Sequence, residues 1–141
     1  MIDSEPGRKL VLELPQDPAH LAIARLFAGS TARIFGVAEA DARDVKTAVS
    51  EACLLVLAGA SPVDGAAVEI RVTPAVGELA FEVRRRGDAS TAPPQTGPDV
   101  YEPTDLARQI ILGLFEEADI ASDGSWTTKV TFRVPATMAG R

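Results

Sequence analysis

At 141 residues, 46% hydrophobic and 24% charged, the chain suits one folded domain with its own core and needs no disulfide or metal staple. A net charge of −6 and an aromatic content of 5% argue against a phosphate-tracking or base-stacking surface, so no nucleic-acid partner is expected. One cysteine and one histidine exclude an internal disulfide and a Cys/His metal cluster, and no stretch reaches the ~18 apolar residues of a membrane span.

Residues 1–8 contain Asp3 and Glu5 and no apolar segment of the kind that drives secretion, so the expected compartment is the cytoplasm. Lys9 to Leu14 alternates as a strand, with Leu10, Leu12 and Leu14 on one face, and Pro15 ends it. Asp17-Pro18 then reads as a helix start, with aspartate as N-cap and proline in the first turn. This helix is expected to run to about Phe35, with Ile23, Phe27 and Ile34 among its apolar positions, and to stop at Gly36. His20, near its start, has a solvated or capping role. Ala38 to Ala60 carries the strongest helical period: Val45, Ala48, Val49, Ala52, Cys53 and Val56 recur at spacings of three and four. Cys53 accordingly reads as a small buried hydrophobe.

Two alternating strands follow. Val68, Ile70 and Val72 share a face opposite Glu69 and Arg71, and Leu79, Phe81 and Val83 share one opposite Glu82 and Arg84. Pro74 to Gly77 is the expected hairpin connection, and the charged face is expected to stay wet. Gly87 to Pro103, with four prolines and two glycines, is a long loop. A third helix is expected from about Thr104 to Glu117 with Leu106, Ile110, Ile111 and Leu114 facing the core, then a turn at Asp123-Gly124 and a strand from Thr127 to Val134. Trp126, just before that strand, reads as packing. The order β-α-α-β-β-loop-α-β, with every apolar stripe in need of cover, predicts a two-layer α/β sandwich: a mixed sheet under one layer of helices. A single domain over 9–135 is expected, with 1–8 and 136–141 as flexible tails.

The segment Asp44-Val45-Lys46-Thr47-Ala48-Val49-Ser50-Glu51-Ala52-Cys53 resembles the first nucleotide-binding helix of the anti-sigma-factor serine kinases. These are small members of the histidine-kinase-like ATPase superfamily, with the Bergerat α/β fold. Leu10-Val11-Leu12-Glu13-Leu14-Pro15 is similar to the family's opening strand, Ala24-Arg25-Leu26-Phe27 to its first helix, and Ile110-Ile111 with Leu114 to its final helix. The resemblance implies transfer of the γ-phosphate of ATP to a serine of an antagonist protein, through a glutamate base, a magnesium-binding asparagine, an adenine-binding aspartate and a Gly-x-Gly run.

Glu51 stands at the position of the base. The asparagine four residues later is Leu55, which offers no oxygen to a hard cation, and a further family histidine is Gly59. In Val83-Arg84-Arg85-Arg86-Gly87 the glycine of the adenine motif remains, but Arg85 replaces its aspartate, and a guanidinium only donates. Asp88 lies on the wrong side of that glycine. At the start of the last helix the Gly-x-Gly run is Asp105-Leu106-Ala107: Asp105 repels phosphate and the Ala107 Cβ obstructs close approach. The implied cofactors, ATP and magnesium, are therefore not expected. Glu51 reads as a partly exposed helix glutamate or relic, tied to a neighbour such as Lys46 or to an arginine.

Arg25 occupies the position where the family engages its sigma factor, and is either that contact or a solvated arginine. Arg84 to Arg86 form either a solvated strand end or, at Arg85, a plug in the emptied adenine pocket that pairs with Glu51 or Asp105. The expected function is an anti-sigma-factor-like regulator of transcription, a homodimer that sequesters a sigma factor or binds an anti-anti-sigma antagonist without phosphorylating it. The alternative is an active ATP-dependent serine/threonine kinase with a rewired nucleotide site.

Overall fold

The structure, a computed structural model, describes residues 9–15, 17–57, 67–86, 105–122 and 128–139. Strand β1 spans Leu10–Pro15, and a 3-10 turn over Pro18–His20 leads into helix α1, Leu21–Ile34. Helix α2 is Glu39–Leu57, strands β2 and β3 are Ala67–Ala75 and Glu78–Arg86, helix α3 is Asp105–Leu114, and strands β4 and β5 are Asp119–Ser122 and Thr128–Pro135. Asp17 caps the entry to the first helix as expected: its Oδ1 accepts the backbone N–H of Ala19 at 2.9 Å. His20 is half-buried, with Nδ1 3.4 Å from the carbonyl oxygen of Pro15.

The sheet order is β1-β2-β3-β5-β4. Every pairing is antiparallel, which corrects the expected mixed sheet. The reason is β4, a four-residue strand with one buried-side residue, Ile120, too short to announce itself by alternation. The chain leaves β3, crosses over through α3 and enters β4 parallel to β3 but one strand away. It then turns back, and β5 fills the gap antiparallel to both.

One face of the sheet carries Val68, Ile70, Val72, Leu79, Phe81, Val83, Val130, Phe132 and Val134, all buried under the helices. Helix α2 lies over β2, β3 and β5 and packs against both other helices, so its predicted stripe, Val45 to Val56, is wholly buried. Phe132 sits between Phe81 and Phe115, with ring centroids 5.0 and 4.7 Å apart. Each such side chain contributes roughly 1.5–3 kcal/mol by leaving water. Cys53 belongs to the same core, and burial pushes its thiol up to about 12.

Several expected positions move. The inner face of α1 is Ala24, Ala28, Gly29, Thr31 and Ala32, and Ile23 and Ile34 point outward instead. On α3, Ile111 is buried, whereas Leu106 is 62% exposed. Pro74 is not in the hairpin connection but inside β2, opposite Leu79, and the connection is only Val76–Gly77. Proline is tolerated there because β1 ends opposite Val72, which leaves that stretch of β2 unpaired on one side.

Residues 136–139, expected to fray, are tied down. The N–H groups of Thr137 and Met138 donate to the carbonyls of Gly36 and Phe35 at 3.2 and 2.9 Å, and that of Ala136 donates to Gly77 at 2.9 Å. This clasp joins the α1–α2 turn to the β2–β3 turn through two glycines of positive φ, Gly36 at 80° and Gly77 at 78°. A Cβ at Gly36 would also collide with Thr137 Oγ1, whereas one at Gly77 meets nothing within 4 Å. Gly77→Ala is therefore expected to cost about 1 kcal/mol of backbone strain, and Gly36→Ala at least ~1 kcal/mol more, by urea denaturation. Cys53 is expected to resist a thiol reagent in the native protein and to react only in denaturant, as the colour released by a chromogenic disulfide would report.

Candidate functional site

Helix α2 presents Glu51 and, one turn on, Leu55. Glu51 is half-buried, and no hydrogen bond or ion pair holds it among the described residues, so the expected tie to Lys46 is not made. Leu55 is 3% exposed and is part of the apolar core. Ala107 of α3, packed on α2, is buried in the same cluster. Both altered positions are thus core residues, one on each of two helices that pack together.

Arg85 stands near the end of β3 opposite Val68, on the helix-facing side with Phe81 and Val83. It is half-buried, and no ion pair to Glu51 is formed among the described residues. The side chain of Asp105 and the whole of Gly87 lie outside the described residues, as do Gly59, Asp88, the Gly87–Pro103 loop, Asp123-Gly124 and Trp126. Among the described residues no group of three or more His, Cys, Asp or Glu gathers to hold a metal, and no helix is long and apolar enough to cross a membrane.

Arg25 is far more open. It lies on the exposed side of α1, flanking a stripe of Ile23, Leu26, Ser30 and Ile34 at spacings of three and four. Leu26 is 70% exposed and Ile34 is 72% exposed. At the C-terminal end of this helix, Arg33 Nη2 donates to Glu39 Oε1 at 3.0 Å. That hydrogen bond holds the Glu39 carboxyl below its ordinary range.

A profile of the histidine kinase-like ATPase domain matches residues 14–133. The chain belongs to that family. Among solved structures it is similar to the RsbU and RsbW domains of Rv1364c from Mycobacterium tuberculosis, at 19% identity and a TM-score of 0.63. The match covers 93% of this chain and 33% of that one, so the chain spans a third of the length of the structure it resembles, and the likeness speaks to the fold. No curated protein matches it significantly.

In this histidine kinase-like ATPase domain the positions at which the resemblance implies nucleotide contacts hold Leu55, Arg85 and Ala107. Leu55 supplies hydrocarbon where an oxygen ligand is needed and is closed into the core. Arg85, on the helix-facing side of β3, has no acceptor to offer. The sequence missed two features: the outward apolar stripe of α1, and a buried carboxylate, Glu69, on the face of the sheet that no described helix covers. Leu55→Asn is expected to lower stability by about 2–4 kcal/mol in chemical denaturation, because an amide replaces a buried alkyl group, and not to generate Mg-ATP binding in calorimetry.

Proposed function

We propose that this chain is a non-catalytic regulator of the anti-sigma type, which sequesters a protein partner through the outer face of α1 and binds neither ATP nor magnesium. The observation that carries this reading is the exposed stripe of Ile23, Leu26 and Ile34 beside Arg25. A row of large aliphatic side chains on a helix is costly to leave in water, and an arginine beside apolar anchors is the composition of an interface hot spot. The resemblance that places Arg25 at the sigma-factor contact points to the same helix.

The substitutions at Leu55, Arg85 and Ala107 support the second half of the reading. Phosphoryl transfer rests on a metal and on donors arranged around the phosphates, and Glu51 by itself supplies neither. Sequestration requires only a rigid surface and an expected homodimer of the domain to hold one partner.

The test pairs two measurements on the full chain. A panel of sigma factors from the source organism is presented to the wild-type protein and to Arg25→Glu and Leu26→Asp. At least one sigma factor is expected to bind, and each substitution is expected to weaken it by about tenfold or more. Capture unaffected by either substitution removes the role of α1, and no capture at all removes the sequestration reading. A calorimetric titration with Mg-ATP is expected to give no binding heat, and micromolar binding would favour the active kinase.

A further inference from the structure

The face of the sheet that no described helix covers holds a charge array that the partner-binding reading does not use. Register places Glu69, Arg71, Glu82, Arg84, Lys129 and Arg133 on this face of β2, β3 and β5. Glu69 is only 2% exposed, although no described helix lies over it. Both neighbouring arginines donate to its Oε1 through their Nε atoms: Arg71, in a very short contact, and Arg84, at 3.1 Å. A buried carboxylate that accepts two guanidinium groups fixes both of them in place.

The way they are fixed matters. Each arginine is held through Nε, and its terminal nitrogens carry four further N–H donors. Among the described residues, no hydrogen bond is made by either Nη of Arg71. The Arg71 side chain lines a cleft of about 350 Å³ whose floor is Thr73, Ala80 and Thr131 and whose other cations are Lys9 and Arg133, the latter 3.8 Å from Glu78 outside the cleft. Two carboxylates also line it. Glu82 is offset by Lys129 at 3.8 Å and by Arg71 at 4.0 Å, and Glu117 stands at one side. The small floor residues leave room for a ligand, and the hydroxyls add donors to a fork and an ammonium.

We propose that this cleft is a second ligand site, which takes a small molecule bearing a phosphate group. A tetrahedral oxyanion has enough acceptor lone pairs for the Arg71 fork, the Lys9 ammonium and the two threonine hydroxyls together. A carboxylate, with two oxygens in one plane, offers fewer acceptor sites and directions to the same donors. The volume suits one small molecule rather than a protein surface. In a chain of net charge −6 the local cations serve recognition of a specific anion, not general attraction of polyanions. The site lies across the sheet from α1, so it stands or falls independently of sigma-factor binding.

The experiment is a titration of the isotopically labelled full chain with inorganic phosphate, followed by amide chemical shifts, against sodium chloride at matched ionic strength. Saturable shifts at Thr73, Ala80 and Thr131 with phosphate alone are expected. Arg71→Lys, which keeps the charge and removes the fork, is expected to weaken binding by about tenfold. Arg133→Gln, on the exposed rim, is expected to weaken it by a smaller factor, and it keeps the test valid if Arg71→Lys loses the fold. Arg85→Ala, on the opposite face, is expected to leave it unchanged. Shifts that never saturate, or that chloride reproduces, or that survive both Arg71→Lys and Arg133→Gln, would overturn the proposal.

Discussion

Helix α1 meets α2 through Ala24, Ala28, Gly29, Thr31 and Ala32, and the closeness of that contact governs much of what the protein can do. A Cβ at Gly29 would stand 2.6 Å from Lys46 Cδ, so the aliphatic stem of Lys46 lies directly over the glycine. Small residues let helix backbones approach, and dispersion between the closely packed surfaces offsets the modest area each buries. The consequence is geometric. With the small residues turned inward, Ile23, Leu26 and Ile34 on the opposite arc have no place in the core and face outward. The exposed apolar stripe of α1 is therefore a by-product of how tightly the two helices pack. It is held from below by the clasp of residues 136–139 on Phe35 and Gly36.

The same helix α2 explains why the expected nucleotide positions read as core. Leu55 lies one turn beyond Glu51, and Ala107 on α3 reaches the same buried cluster from the other side. Once a polar ligand position becomes an alkyl group, burial favours closing it between neighbouring apolar side chains over leaving it to line a hydrated pocket. The exposed stripe of α1 is formed by residues of α1 alone and does not depend on which groups α2 presents. The two faces of the sheet are likewise uncoupled in composition: hydrocarbon under the helices, and cross-strand ion pairs on the other side.

The ion-pair face shows how sensitive such a reading is to one turn. A connection over residues 74–77 would set Glu69 opposite Glu82, two like charges. The observed two-residue turn at Val76–Gly77 sets Glu69 opposite Arg84 and Arg71 opposite Glu82. Faces are preserved by a two-residue shift, since side chains alternate with a period of two, but partners are not. The buried carboxylate thus follows from the left-handed Gly77, which closes the hairpin at its tightest length.

Alternation and helical period in the sequence were enough to locate four of the five strands, all three helices and the buried stripe of α2, because those signals depend only on neighbours a few residues apart. The chemistry available to Leu55, Arg85 and Ala107 also needs no fold, since whether a side chain can ligate magnesium or accept a hydrogen bond is a property of the residue itself. Tertiary structure decided the rest. Ile23, Ile34 and Leu106 are as hydrophobic as any core residue, and only packing assigns them to the surface. Glu69 is as polar as any surface residue, and only the register beside Arg84 lets it be buried. The short β4 converts an expected mixed sheet into an antiparallel one. A local pattern fixes which way a residue points relative to its own helix or strand, but whether that direction meets water depends on elements distant in the chain.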